Sequence, residues 1–582
     1  MTHRRWKLAS VLVLAACSPH APRIAATAPS PAAQAEWTHG TVCYEVFVRS
    51  FYDSDGDGIG DLKGLVRKLD YINDGNPASR SDLGATCIWL MPVTESPSYH
   101  GYDVSDYYRV EPAYGTNDDF KRLVAEAHRR GIKVLVDMVL NHSSSEHPFF
   151  QAALRDTASP YRNWYRWSAT KPNELGPWGQ VAWHKSPIRD EWYYGIFWSG
   201  MPDLNYTWPP VVAEAKKVAR YWLTEMGVDG FRLDAIPFLV EEPGRLQGTA
   251  GTHAVLRDYQ AFLRTVKPDV FTVGEVYDST GAMLRYYPDQ LDEHFAFEVS
   301  DSIIAAVRSG SARGLLASVL RLQSLVPNAR YAPFLSNHDQ VRVRTQLGGD
   351  LAKSRLAAVI LLTMPGLPFV YYGEEIGMSG AKPDERLRTP MQWSPAPGSG
   401  FTSGAPWERM QDDSLTVTVE AQERDPSSLL ALYRRLIHLR AGRPALGAGT
   451  LVPLTTSNAA VGAWIRRHGR SVALVVVNLS PVAQSGVTLA GADGTLPRGR
   501  WVLRDLLGNA RAARGARDAG GAGGAGVVIG AAGGFEGYVP LDTLAATTGY
   551  VFDLSPSSRH APAAALVPRS SSPASPRQRS PR

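Results

Sequence analysis

The chain has 582 residues, 44% of them hydrophobic, with 15 tryptophans and a formal net charge of +5. That length is too great for one ordinary core and predicts two or three domains, and the composition excludes a disordered chain. The positive charge is confined to the ends, where Arg4, Arg5 and Lys7 precede residue 17 and five arginines follow Leu554. Without those three and five charges the body from Trp37 to Asp553 stands at −3, which gives no reason to expect a nucleic-acid partner.

The first residues read as an export signal, with basic "THRRWK" followed by apolar "LASVLVLAAC". The apolar run is too short to serve as a stable membrane span. "LAAC", ending at Cys17, resembles the bacterial lipobox, so residues 1–17 are expected to be a lipoprotein signal and Cys17 a lipid anchor facing the periplasm or the cell surface. The alternative is an ordinary signal peptide cut in the alanine-rich stretch 25–33. A Pro/Ala-rich linker covers 18–36. The only other cysteines, Cys43 and Cys87, fall in strand-like runs and read as free buried thiols, without a zinc pattern.

"FYDSDGDGIGDLKGL" places Asp53, Asp55, Asp57 and Asp61 around glycines. Counted from Asp53, the stretch has the acids of an EF-hand loop at positions 1, 3, 5 and 9 and the glycine at 6, but position 12 is Gly64 in place of a bidentate Glu. If this loop holds a metal, something other than an EF-hand supports it.

Beyond it, apolar runs alternate with amphipathic patterns. In "NDDFKRLVAEAHRRG" Phe120, Leu123, Val124 and Ala127 recur at helical spacing and Gly131 ends the run. The strand "IKVLVDMVLNH" follows. The same grammar recurs before "VDGFRLDA", "VFTVGEV" and "LPFVYYGEE". Apolar strands between amphipathic helices imply a parallel sheet covered on its outside, and the number of units favours a (β/α)8 barrel, here over 37–445. A tryptophan-rich segment at about 143–210 reads as a lobe inserted after the third strand. From about Leu446 to Asp553 alternating strands predict an antiparallel β-sandwich. Within it Ala512–Gly534 reads as a flexible insertion, and 554–582 as a disordered tail.

The strand ends carry the chemistry. Asn141-His142, Asp234, Glu275 and Asn337-His338-Asp339 each end such a run, and in a barrel all C-terminal strand ends open on one mouth. One such acid is usually a helix cap; four ends agreeing are poorly explained that way.

"DMVLNH", "GFRLDA", "GEV" and "SNHDQ" resemble, in order, the four signature regions of the α-amylase family of glycoside hydrolases. The resemblance covers roughly Trp37 to Asp553. It implies Asp234 as nucleophile, Glu275 as general acid/base and Asp339 as the third family acid. Arg232 would orient the nucleophile, with Asp137 as its structural partner. His142 and His338 would bond sugar hydroxyls, and Tyr102 would stack under the ring with His100 beside it. The resemblance also assigns the aspartate loop to a structural calcium, held by Asp53, Asp55, Asp57 and Asp61 and by the Ile59 carbonyl. No organic cofactor is implied.

Ala235 after the nucleophile, "SYHGYD" and "MPDLN" are similar to exported amylases acting on α-1,4 bonds in starch or maltooligosaccharides. "AIPF" (235–238) departs from the Lys-His pair of many amylases and is similar to trehalose synthase-like members. Cleavage of α-1,6 bonds, or isomerisation of maltose, is therefore the alternative. Retention of all three acids argues against a purely binding subunit.

Overall fold

The computed structural model describes residues 36–510 and 526–557. Cys17 with the signal and linker, most of the glycine/alanine stretch and most of the tail lie outside the described residues. Among the described residues no helix is long and apolar enough to cross a membrane.

Seven parallel strands form one sheet: β1 (Cys43–Val46), β2 (Cys87–Leu90), β3 (Lys133–Val139), β4 (Gly230–Asp234), β5 (Phe271–Gly274), β6 (Glu293–His294) and β7 (Phe369–Tyr371). Their spatial order is β6-β5-β4-β3-β2-β1-β7. The gap between the two edges is filled by the extended segment 331–335. The Ala332 amide donates to the His294 carbonyl at 2.8 Å, and the Phe369 amide donates to that of Pro333 at 2.9 Å. Pro333 has no amide hydrogen to give, so this eighth stave is irregular while the barrel still closes.

Helices α1 (Leu62–Ile72), α2 (Asn117–Arg129), α3 (Pro209–Thr224), α4 (Ala250–Val266), α5 (Phe297–Ser309) and α6 (Leu351–Thr363) cover the outside. In α2 the stripe Phe120, Leu123, Val124 and Ala127 is buried as the periodicity predicts, and Thr116 and Asp119 close a reciprocal capping box. Burying each large apolar side chain contributes about 1.5–3 kcal/mol. By contrast α6 is buried over almost every residue from Leu356 to Thr363, as expected of a helix apolar all round. It lies between the barrel and the C-terminal sheet, where a Cβ on Gly549 would come within 2.7 Å of Val359.

That C-terminal sheet contains β8 (Thr450–Pro453), β9 (Val461–His468), β10 (Ser471–Asn478), β11 (Gly499–Asp505), β12 (Val527–Ile529) and β13 (Thr548–Pro556). The antiparallel order is β8-β9-β10-β13-β11-β12, and Leu474, Trp501 and Phe552 share one core with Leu489 and Phe535 of a smaller three-stranded sheet. Two expectations are corrected here. β12 lies inside the stretch read as a flexible insertion, because Val527 and Ile529 are apolar, buried and paired with β11. β13 runs to Pro556, past the expected end at Asp553, because Val502 and Trp501 pair with Ser555 and Pro556.

The cysteines require a third correction. Cys43 and Cys87 are joined in a disulfide, not free. They are register partners on the adjacent strands β1 and β2, with Cα atoms 4.3 Å apart, and both are fully buried in the barrel interior with Trp37 packed against the same cluster. Linear spacing carries no trace of this pairing, since 44 residues separate the two. Closing that loop is worth roughly 2–4 kcal/mol. Denatured, unreduced protein should therefore resist alkylation at both cysteines, and a Cys43→Ala/Cys87→Ala double variant should unfold at a lower urea concentration. Full alkylation without reductant would disprove the bond.

Candidate active site

Glycine and backbone turns shape the mouth of the barrel. A Cβ on Gly274, directly before Glu275, would come within 2.8 Å of Ile236, so glycine lets β5 press against the turn that follows Asp234. Ala235 opens that turn with φ of 46°, a left-handed conformation that alanine adopts at less cost than a β-branched residue. The inserted lobe is stitched onto the end of β3: Leu204 donates its amide to the Asn141 carbonyl at 2.9 Å, and His142 and Asp203 form a bridge. "MPDLN" is the returning strand of that stitch. The lobe itself carries helix Pro148–Arg155 and a three-stranded sheet that includes Trp167, Trp183 and Trp192.

At the centre is Arg232, 1% exposed. Its Nη1 donates to Asp234 at 2.6 Å and to both oxygens of Asp137 at 2.9 and 3.0 Å; its Nη2 donates to Glu275 at 2.6 Å. Burial raises the pKa of all three acids, and Asp137 reaches about 7. The Asp339 carboxylate pushes Asp234 further up, and Asp234 and Asp339 push Glu275 further up.

His338 is also buried and uses both ring nitrogens. Nδ1 faces Glu45 at 2.6 Å, and Nε2 faces Tyr102 at 2.7 Å and Asp339 at 3.1 Å. Burial opposes its charge, but Asp339 and Glu45 outweigh that and push its pKa up to about 10. Asp339, which burial alone would raise, is held well below the usual carboxylate range by His338 and Arg388. Arg388 donates to Asp339 at 2.7 Å and to the His338 carbonyl at 3.0 Å.

These groups border a cleft of ≈ 870 Å³ that His100, Tyr102, His142, Asp234, Glu275 and Asp339 all line. Six of the eight residues read from the sequence thus meet in one place. Neither Arg232 nor His338 lines the cleft: Arg232 lies beneath it, bonded to Asp234 as the orienting role implies, whereas His338 differs from expectation. With its ring nitrogens committed to Glu45, Tyr102 and Asp339, His338 supports the floor instead of offering a donor to a ligand. Tyr102 is stacked on it, ring centroids 5.5 Å apart, and its hydroxyl donates a hydrogen bond to Asp137 at 3.0 Å. Burial brings the pKa of His142 down to about 4, so it presents a neutral ring. Trp178 belongs to the tryptophan-rich lobe and Phe238 to "AIPF", both marked in the sequence, whereas sequence reasoning missed Arg388, Glu45 and Tyr277. Only Glu45 left a signal, since a carboxylate in a buried strand requires a partner.

The aspartate loop lies beside α1, capped by Asp61 through the Gly64 amide at 2.8 Å. Carboxylate oxygens of Asp53, Asp55 and Asp61 gather within 4.8 Å of one another, the spread that oxygens at 2.3–2.6 Å from a single hard cation require. Asp57 is outside this group and accepts from the Ile59 amide at 2.7 Å. Asp53 is fixed by Thr402 at 2.5 Å and by the Gly56 and Gly58 amides. Gly58 is obligatory, since its Cβ would approach the Ala405 carbonyl to 1.9 Å.

A pH dependence follows from His338. Its folded pKa of about 10 is above the ordinary 6.5, so its stabilisation is complete below pH 6.5 and is lost as pH rises towards 10. The Asp339 contribution has the opposite sense and is lost only as pH falls below the ordinary carboxylate range. The urea midpoint should drop between pH 6 and pH 9.5, with a smaller drop in His338→Gln. Equal drops in both proteins would show that the imidazole is not charged.

The family described as "Alpha amylase, catalytic domain" matches residues 45–449. Alpha-amylase 3 of Dictyoglomus thermophilum is 40% identical over 450 residues, 77% of this chain and 86% of that protein. A trehalose synthase/amylase of Mycolicibacterium smegmatis is 34% identical, covering 75% of this chain and 81% of that one. The crystal structure of an α-amylase from H. orenii superposes with a TM-score of 0.76 at 38% identity, covering 89% of this chain and 99% of that one. With the barrel, the inserted lobe and the C-terminal sheet in place and the catalytic-domain match spanning most of it, the chain belongs to the α-amylase family of glycoside hydrolases.

Proposed function

We propose that the protein hydrolyses α-1,4-glucosidic bonds in starch or maltooligosaccharides with retention of configuration. The observation that carries this reading is the single buried guanidinium of Arg232 bonded at 2.6 Å to both Asp234 and Glu275. Two carboxyls flanking one bond are what double displacement needs, one ionised to attack the anomeric carbon and one protonated to donate to the leaving oxygen. Asp234 attacks, kept anionic by Arg232. Glu275 donates and then takes a proton from water, its proton affinity raised by burial and by its two acidic neighbours. Asp339, with 46% of its side chain open, receives hydroxyls of the bound sugar together with His142 and His100. Arg232 and His338 position these groups from below.

A second reading, isomerisation of maltose, is favoured by "AIPF" and by the trehalose synthase/amylase relative. The D. thermophilum and H. orenii amylases support the first. The Cys43–Cys87 bond supports export, because disulfides persist in oxidising compartments.

We also infer that the aspartate loop holds structural calcium through Asp53, Asp55 and Asp61. The cation would neutralise three carboxylates that otherwise repel one another across the first loop of the barrel.

Glu275→Gln and Asp234→Asn should each lower turnover of maltotetraose by at least a thousandfold with folding intact. NMR of a fresh wild-type digest should show α-anomer before mutarotation. Activity within tenfold of wild type, or β-anomer first, would falsify the mechanism, whereas trehalose as the main product from maltose would establish the second reading. Chelation should lower the melting temperature of the wild type and leave Asp55→Ala unaffected; an unchanged wild-type curve would make the loop a solvated turn.

A further inference from the structure

A second recess lies away from the catalytic cleft, where the inserted lobe meets the barrel. It has a volume of ≈ 180 Å³ and shares no lining residue with the cleft. Met138 of β3, Val211 and Val218 of α3, and Phe149 and Trp164 of the lobe border it. A dry apolar cavity of roughly 150 Å³ holds a benzene molecule, so this recess has room for a six-membered ring with a small substituent.

The tyrosines around it have their hydroxyls committed. Tyr107 donates to the His142 carbonyl at 2.6 Å, Tyr108 to Glu214 at 2.6 Å and Tyr206 to the Leu140 carbonyl at 2.7 Å. Tyr165 is paired with Ser143 at 2.9 Å. These residues present rings, not donors, to the recess.

His147 is different. It is 6% exposed and lines the recess. Its Nδ1 accepts from the Phe149 amide at 3.1 Å, so the ring hydrogen is on Nε2. That nitrogen has no hydrogen-bond partner among the described residues. Burial brings the His147 pKa down to about 4 although Asp106 pulls it up, so the ring offers a hydrogen bond without a charge. A buried donor left unpaired costs free energy, and an occupant that brings an oxygen removes that cost.

We propose that this recess binds a neutral single-ring phenol, its ring against the aromatic walls and its oxygen accepting from His147 Nε2. Aromatic walls favour an aromatic guest through offset and edge-on contacts. An anion would instead face Asp106 and Glu214, which also line the recess. A sugar would bring several hydroxyls to walls whose own are spent. The guest packs beside Tyr107, which holds the backbone of His142, and His142 lines the cleft.

The test titrates the full chain at pH 7 with phenol and, separately, with toluene, following both by NMR. Toluene matches phenol in size but has no oxygen. An apolar cavity without a donor prefers toluene, because a buried hydroxyl left unpaired is unfavourable. Phenol should bind the wild type at least fivefold more tightly than toluene. His147→Ser keeps a capping oxygen for the Phe149 amide and withdraws the donor, so the preference should pass to toluene. Val218→Phe fills the recess from α3 and should weaken phenol binding at least tenfold. Absence of phenol binding to the wild type, or equal or tighter binding of toluene, overturns the proposal. Phenol affinity unchanged in His147→Ser also overturns it and puts the guest elsewhere, the cleft included. If Val218→Phe fails to fold, His147→Ser decides. Binding is read directly, so the result is independent of the reaction proposed above.

Discussion

The site depends on one charge placed where water cannot reach it. Arg232 is buried against Asp137, Asp234 and Glu275 and above the face of Trp89, 5.2 Å from the ring centroid. Three carboxyls at that depth would take up protons if they stood alone, because burial favours their neutral form. The guanidinium is too basic to lose its proton, so it keeps negative charge available in a dry place. A second cation, the His338 imidazolium, holds Asp339 ionised and faces Glu45 at 2.6 Å. The charges are thus set before any substrate arrives, and little reorganisation remains for the reaction itself.

Such an arrangement demands a rigid frame, and the backbone supplies it. β4 delivers Arg232 and Asp234 to the same side by strand alternation. Gly230 at the start of β4 lets the strand approach β5 so closely that a Cβ would contact the Phe271 carbonyl at 1.9 Å. At the base of the barrel the Cys43–Cys87 bond ties β1 to β2, and Glu45, two residues past Cys43, reaches His338 from that tied strand. The floor of the cleft is therefore connected covalently and by charge to the first two strands.

The upper walls are built differently. The lobe packs on the turn after Asp234 through a small cluster that includes Ala182, Tyr194, Ala235 and Phe238. Polar groups with fixed directions and non-directional ring faces both line the cleft, and Phe197 lies against His142 with ring centroids 5.2 Å apart. A wall of the second kind tolerates different shapes, whereas hydrogen-bonding groups reject a partner that leaves them unpaired.

The alternation of apolar runs with amphipathic helices was legible because a barrel repeats one local unit, and α2 buried the stripe its periodicity marks. The acids at the strand ends were legible for a related reason: topology sends every parallel strand end to one mouth, so position in the chain already implies proximity. What could not be read is what depends on register and on contacts between distant segments. Cys43 and Cys87 pair because β1 and β2 align residue for residue, and Arg388 reaches Asp339 across 49 positions of chain. His338 reads in the sequence as a ligand to sugar, and packing buries it with both ring nitrogens turned to Glu45, Tyr102 and Asp339. An aromatic triangle joins Trp178 and Phe197 of the lobe to Phe238 of the barrel. Local pattern fixes which face of an element is apolar; which distant face it meets is decided by the packing of the whole chain.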